Sequence, residues 1–290
     1  MKVCIIYNGF QVASGVTNQI DRLTHEFSLR NVDVKLLKNT QILAYINSDS
    51  IKNKIGECDL ILYLDKDRYI ANMLEKSGYK LVNSPRALEM CDDKMITHIM
   101  LANHGIKMPI TIPAPLCFHD NGDRSFLNLI KEKLSFPLIV KENYGSLGKQ
   151  VYLINNEEEL KESYERLIHV NHLYQEFISS SKGKDYRIIV IGGKVVAYMK
   201  RENKHSYLSN LASGGTSSVV ELPKEYLDMA IKASEILGLD YCGVDILEGK
   251  NGEPILSEVN SNAFFEGIEN TTKINVAGAY VDYLLKKYSK

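Results

Sequence analysis

Three side chains near the end of the chain are of the kind that holds hard cations. Asp245 lies in Gly243-Val244-Asp245-Ile246-Leu247, and Glu258 and Asn260 lie in Ile255-Leu256-Ser257-Glu258-Val259-Asn260. Both stretches read as strands, joined by a turn at 249–252. Strand periodicity puts Glu258 and Asn260 on one face, and Asp245 on the neighbouring strand can point into the same space. Two carboxylates and one amide oxygen suit Mg²⁺, which prefers oxygen ligands and completes its coordination with waters and substrate phosphates. The same pattern also fits a solvated hairpin face.

A second signal follows Lys141, in Glu142-Asn143-Tyr144-Gly145-Ser146-Leu147-Gly148-Lys149. It is not a P-loop. The first glycine of G-x-x-x-x-G-K-[ST] would fall on Asn143, Gln150 stands where Ser or Thr should, and the strand-like VYLI follows instead of a helix. A strand–Gly loop–strand can nevertheless fold over phosphates, offering backbone N–H groups and a lysine; a plain hairpin loop looks the same. Two separated cations, Lys94 after Asp92-Asp93 and Arg201 after the strand that follows Gly192-Gly193, could meet such phosphates or stay on a solvated surface. Short basic clusters (Lys182, Lys184, Arg187; Lys200, Arg201, Lys204) fit a phosphate pocket better than a nucleic-acid surface. His169 and His172, three apart at a helix end, have no third metal ligand nearby in sequence. No Gly-x-Ser-x-Gly elbow occurs, and the scattered cysteines at 4, 58, 91, 117 and 242 read as core residues.

These side chains need elements to hold them. The run KVCIIY at 2–7 reads as a central parallel strand ended by Asn8-Gly9, with a helical pattern through Ile20, Leu23, Phe27 and Leu29 behind it. Strands at 32–37, 59–64 and 80–82 follow, with a helical stretch between the first two and a short helix at 68–77. This alternation predicts a small doubly wound α/β unit. It lacks a G-x-G-x-x-G after its first strand, which argues against a dinucleotide site. Ser84-Pro85 reads as an N-cap and first helical position, and a helix with Ile96, Ile99 and Met100 runs from about Asp92 to His104, ended by Gly105. The proline-rich segment 109–123 is the best linker candidate. Beyond it, strands at 136–141, 151–154, 173–178, 186–191 and 194–199 and a charged helix at 157–168 predict an α+β half with antiparallel sheet, including a hairpin at Gly192-Gly193.

A chain of 290 residues suggests about two domain-sized units, and 44% hydrophobic with 24% charged residues is ordinary for a soluble globular protein. The net charge of -1 predicts no polyanionic partner. Odd, scattered cysteines point to the reducing cytoplasm, and no apolar run approaches the ~18 residues of a membrane helix.

In combination, Asp93-Lys94, PLIVK with its Gly loop, Tyr174-Gln175-Glu176-Phe177-Ile178, Lys184-Asp185-Tyr186-Arg187, Ser209-Asn210 with Gly214-Gly215, GVDIL, and EVN followed by Glu266-Gly267-Ile268-Glu269 resemble the ATP-grasp superfamily, and within it the RimK-type α-L-glutamate ligases. The resemblance covers about residues 80–285. It implies a mixed α/β and α+β ATP-grasp fold: a Rossmann-like N-terminal domain at 1–92, a central ATP-grasp subdomain at 93–175, and a C-terminal ATP-grasp subdomain with the metal site at 176–290. It implies that Lys94 and Lys141 hold the phosphates of ATP, that Glu176 and Phe177 form the hinge whose backbone reads adenine, and that Asp185 and Asn210 contact the nucleotide or its metals. Asp245, Glu258 and Asn260 would bind two Mg²⁺ or Mn²⁺ ions, and Arg201 would face the reacting carboxyl.

The activity implied is ATP-dependent carboxylate–amine ligation through an acyl-phosphate, with glutamate or a similar amino acid joined to a peptide, carrier protein or small-molecule carboxylate. A homo-oligomer is compatible with this, whereas nucleic acid and membrane partners are not implied. A D-alanine–D-alanine-like dipeptide ligase and a nucleotide-binding regulator without catalysis are the competing readings. Two departures from the family pattern bear on the substrate. Leu208 stands where the family has the Arg of an Arg-Ser-Asn motif, and the aromatic pair Phe264-Phe265 replaces a stretch of small residues and proline, which places two rings close to the substrate side.

Overall fold

The computed structural model describes residues 1–10, 14–119, 121–211 and 214–288. The chain opens with β1 (Val3–Tyr7), α1 (Ser14–Ser28), β2 (Val34–Lys38), β3 (Ala44–Asn47), β4 (Ser50–Asn53), β5 (Leu60–Leu64), α2 (Arg68–Lys76) and β6 (Leu81–Val82). Strands β1 and β5 are buried along nearly their whole length, as continuous apolar runs covered on both faces must be. The parallel sheet has the order β2-β1-β5-β6. The helical stretch expected between the strands at 32–37 and 59–64, that is between β2 and β5, is instead the antiparallel hairpin β3–β4. Its turn is the polar cluster Asn47-Ser48-Asp49-Ser50, with Ser48 at φ 55°.

Next come α3 (Pro85–Asp92) and α4 (Lys94–Leu101). Ser84 caps α3 by accepting from Ala87 N, with Pro85 in the first turn. The second helix begins later and ends earlier than its apolar pattern suggests. Asp93 is extended (φ -88°, ψ 109°) and accepts from Met95 N and Ile96 N, so it caps α4. Ala102 leaves the helix at ψ 152°. The inward face of α4 is Lys94, Thr97, His98 and Leu101, spaced i, i+3, i+4, i+7, while Ile96 and Ile99 are exposed.

The proline-rich segment is not a mere linker. It contains β7 (Thr111–Pro113), which pairs with β10 (His172–Glu176) at the edge of a sheet ordered β7-β10-β8-β9, with β8 at Leu138–Glu142 and β9 at Val151–Ile154. Pro113 is tolerated there because an edge strand can do without one N–H. Helices α5 (Phe126–Lys133) and α6 (Glu157–Leu167) cover this sheet. His172, expected at a helix end, is a buried strand residue whose ring nitrogens meet Val170 O and Tyr174 Oη, both at 2.7 Å.

The last sheet has the order β13-β12-β11-β14-β15, built from β11 (Lys184–Ile191), β12 (Lys194–Glu202), β13 (Thr216–Ser218), β14 (Tyr241–Glu248) and β15 (Pro254–Asn260). Gly192 and Gly193 make the β11–β12 turn, both at positive φ (55° and 73°), as a tight hairpin demands. Helix α7 (Lys224–Ile236) packs on one face through Ala230 and Ala233. Helices α8 (Glu266–Thr272) and α9 (Val276–Tyr288) close the chain.

The cores divide unevenly. Val3, Leu23, Phe27 and Leu62 of the N-terminal unit share one apolar cluster with Ile189, Tyr280, Val281 and Leu284 of the last third. Ala87, Cys91 and Leu101 of α3 and α4 likewise pack with Ile188, Ala230 and Val244. The middle sheet has a core of its own, drawn wholly from residues between 112 and 174. Among the described residues no helix is long and apolar enough to cross a membrane.

Candidate active site

The register of the last sheet assembles a row of charges. Arg187 on β11 lies opposite Asp245 on β14, and Asp245 lies opposite Glu258 on β15. Cross-strand neighbours share a face, so these three side chains stand side by side. One position away on the same face, Asp185 is opposite Arg201 and Gly243 is opposite Asn260. The pairing shifts between Asp245 and Ile246: Ile246 faces Leu256 while Asp245 faces Glu258. One extra residue on β15, Ser257, therefore lets Leu256 stay in the α7 core while Glu258 turns to the charged face. Without that bulge the two would share a side.

The buried part of the row is an alternating ion network. Arg187 donates to both oxygens of Asp245 at 2.8 and 2.6 Å. Arg201 donates to both oxygens of Asp185 at 2.7 and 2.5 Å and lies 3.1 Å from Asp245. Ser209 adds a third hydrogen bond to Asp185 at 2.6 Å. Burial pushes the Asp245 carboxyl up, but Arg187 and Arg201 outweigh it and hold it below the usual range. Burial works against the Arg201 guanidinium too, and Asp245 and Asp185 more than offset it. Arg201, read from the sequence as facing the reacting carboxyl, is thus 3% exposed beneath two carboxylates. Its partnership with Asp185, and that of Arg187 with Asp245, were not visible in the sequence, because both depend on antiparallel register.

Two lysines from other elements close over this row. Lys94, the first residue of α4, donates from Nζ to Gly145 O at 3.1 Å and stands 3.7 Å from Glu258. Lys141 on β8 is 9% exposed and has no carboxylate within 4 Å among the described residues. Burial pulls its pKa down to about 8; Glu258 and Asp245 oppose the shift and Lys94 adds to it. His98, one turn after Lys94, was missed by the sequence reading. Its Nδ1 meets Lys94 O at 2.8 Å, and Gln175 Nε2 approaches its Nε2 at 3.1 Å. Burial lowers its pKa to about 4, so the ring is neutral, with Nδ1–H donating and Nε2 accepting. It anchors the lysine-bearing turn to β10.

The Gly loop folds back on this cluster. Lys94 N donates to Asn143 O at 3.1 Å, and Leu147 and Gly148 both adopt positive φ (59° and 75°). A Cβ on Gly148 would come within 2.8 Å of Asn210 Nδ2 and 3.1 Å of Leu208 Cδ1, so the Leu208–Asn210 segment lies against the loop. Tyr207 Oη, donating to Val151 O at 2.8 Å, ties the same two regions together. At the far side Glu176 ends β10, where its carboxylate and backbone N–H bracket Ile110, and Phe177 is half-buried beside it. The aromatic pair splits. Phe265 turns into the core edge-on to Tyr241, because the chain enters α8 there, and only Phe264 remains half-buried, packed on Gly15 of α1.

The donor set suits a divalent cation. Glu258 and Asn260 present oxygens on one face, and the Glu258 side chain is 31% exposed with Lys94 as its ion-pair partner. Asn260 Nδ2 donates to Asp245 Oδ2 at 3.3 Å. Turning that amide over would present the Asn260 oxygen beside Glu258, while both Asp245 oxygens stay bound to Arg187. Among the described residues, His, Cys, Asp and Glu alone form no group of three that could hold a metal, which leaves this mixed carboxylate–amide set as the candidate.

A family model described as the RimK-like ATP-grasp domain matches residues 91–284. A probable alpha-L-glutamate ligase of Maridesulfovibrio salexigens is 37% identical over 221 residues, covering 75% of this chain and 71% of that protein. The chain belongs to the RimK-like ATP-grasp family. Beta-citrylglutamate synthase B of Homo sapiens is 34% identical over 223 residues, which is 76% of this chain and 56% of that protein, so the chain spans about half the length of this curated relative. The solved ATP-grasp ligase PsnB, in complex with a phosphomimetic variant of its minimal precursor, Mg and ADP, superposes with a TM-score of 0.69 at 17% identity, covering 98% of each chain. That likeness shows the shared fold.

Proposed function

We propose that this protein is an ATP-dependent carboxylate–amine ligase that forms an amide bond through an acyl-phosphate, with glutamate or a similar amino acid as the amine. The observation that carries the reading is the pair Lys94 and Lys141. Both are buried, Lys141 has no carboxylate within 4 Å among the described residues yet feels the charges of Glu258 and Asp245, and Lys94 stands 3.7 Å from Glu258. A buried cation left unpaired calls for an anionic ligand, and a polyphosphate is such a ligand.

The chemistry follows from charge. ATP and a carboxylate repel each other, and Lys94 and Lys141 offset that repulsion as the carboxylate attacks the γ-phosphate in line. Asp245, Glu258 and Asn260 would hold two Mg²⁺ or Mn²⁺ ions, which supply further screening of phosphate charge when bound. The products of this step are ADP and an acyl-phosphate. The amine then attacks the acyl carbon, and phosphate leaves as the amide forms. We assign the oxyanion of that step to Arg201, which Asp185 and Asp245 hold rigid. Glu176 and Phe177 would present the backbone that reads adenine, and Asp185 and Asn210 would stand beside the nucleotide. The Gly loop, with Leu208 and Asn210 against it, keeps water from the acyl-phosphate.

ADP release with a panel of amino acids and candidate carboxylates, with products identified by mass spectrometry, tests the reading. Amine-dependent ADP release with a new amide-linked product is expected. Tight ATP binding with no turnover on any pair would instead favour a nucleotide-binding regulator.

A further inference from the structure

Asp65 follows directly on β5 and is 5% exposed, yet only one of its two carboxylate oxygens is satisfied. Oδ1 accepts from Asn8 Nδ2 at 3.0 Å and from Lys66 N at 2.7 Å. Oδ2 is buried and has no hydrogen-bond partner among the described residues. The adjacent lysine does not serve it, because Lys66 Nζ is turned to Asp92 at 2.6 Å. Buried carboxylate oxygens are normally matched by a donor, so an unmatched one marks a place where a donor is expected to arrive.

Its position gives that unmatched oxygen meaning. In the order β2-β1-β5-β6 the chain leaves β1 and β5 toward opposite edges of the sheet. The crevice beyond the carboxyl ends of such a strand pair is where open α/β sheets receive ligands. Asn8 and Asp65 sit there, one beyond each strand. The crevice also borders the charged row. Asn262, two residues past Asn260, donates from Nδ2 to Asp65 O at 3.3 Å, and Phe264 lies on Gly15 at the start of α1.

We propose that Asp65 receives the ammonium group of the amine substrate, which makes this crevice the amine subsite. The inference rests on the ligase reading and adds the residue that recognises the amine. An amino acid reaches the protein as an ammonium cation, and a buried carboxylate oxygen with no donor is its complement. Asn8 fixes the carboxylate through Oδ1 and so leaves Oδ2 for the ligand. Asn262 is half-buried and bonds only the backbone carbonyl of Asp65, so it leaves the Oδ2 atom unmatched. The polyphosphate cations Lys94 and Lys141 lie on other elements, so amine recognition and ATP binding are separable.

The test begins with wild-type enzyme, MgATP, the candidate carboxylates and the amino-acid panel, and takes forward the carboxylate–amino acid pair that gives the most amine-dependent ADP. In Asp65→Asn the KM for that amino acid should rise about thirtyfold, the scale of one charge-assisted hydrogen bond, with the KM for ATP within about twofold of wild type. In a second measurement on wild type alone, the 2-hydroxy acid analogue, with hydroxyl in place of ammonium, should compete at least tenfold more weakly than the amino acid binds. That measurement decides the matter if Asp65→Asn fails to fold. An unchanged amine KM in a folded Asp65→Asn, or a hydroxy acid that competes as well as the amino acid binds, overturns the inference and leaves the ligase reading standing. Absence of ADP release with every carboxylate–amino acid pair overturns the ligase reading itself, and the Asp65 assignment with it.

Discussion

Nucleotide binding should take up a proton, and Lys141 should be the group that receives it. Burial, with Lys94 adding to it, lowers this lysine from 10.5 to about 8. That shift corresponds to about 3 kcal/mol against the charged form. Its folded pKa lies below its unfolded one, so the penalty on stability is complete below about pH 8, and stability recovers as pH rises toward about 10.5. A polyphosphate beside the ammonium removes the penalty and restores the charge. At about pH 8, where half the ligand-free molecules have lost this proton, binding of MgATP should therefore take up about half a proton. By the same linkage, affinity should be about tenfold weaker at about pH 9 than at about pH 7. Calorimetry in buffers of differing ionisation enthalpy measures the uptake directly. Lys141→Met should abolish it and weaken ATP binding, whereas Lys149→Ala, on the Gly loop, should change neither. Equal buffer dependence in wild type and Lys141→Met would refute the reasoning.

Glu258→Gln should lower MgATP-dependent ADP release by at least about a hundredfold while the melting temperature is held, because it removes charge from the open face of the row; near-normal turnover at saturating Mg²⁺ would remove Glu258 from the site. Arg201→Met should cost about 3–5 kcal/mol in denaturant unfolding as well as activity, since it strands Asp185 without a cation and leaves Asp245 with Arg187 alone; an unchanged midpoint would show the network to be unimportant for folding. Phe265→Ala should cost about 3–5 kcal/mol, as expected for a fully buried ring, while Phe264→Ala should leave the unfolding midpoint nearly in place and alter the choice of carboxylate acceptor.

The period-two pattern of β15 was enough to put Glu258 and Asn260 on one face, because that relation lives within a single strand. The bulge at Ser257 was not legible, since a register shift is a relation between strands and leaves no mark in either alone. The same limit hid the pairing of Arg187 with Asp245, 58 residues apart. Lys141 could be singled out because it ends a continuous apolar run, and such runs become central strands. The hairpin β3–β4 could have been found from its polar turn cluster, which a helix would not contain. Asp65 could not: Asp65-Lys66-Asp67 reads as a solvated charge run, and only the fold shows that the first of the three is buried while the third caps α2.

The uneven division of the cores has a consequence for how the molecule comes apart. The first and last thirds of the chain are fused through Phe27, Tyr280 and Leu284, so they should lose and regain structure as one cooperative unit. The middle sheet, with a separate and smaller core, is free to be a unit of its own. Native-state hydrogen exchange should then sort amides into two classes, with β8 and β10 opening at lower free energy than β1 and β14. Because Lys141 and the Gly loop belong to the weaker unit while Asp245 and Glu258 belong to the stronger one, a nucleotide bridging them would act as a strap, and the two classes should converge when MgATP is added.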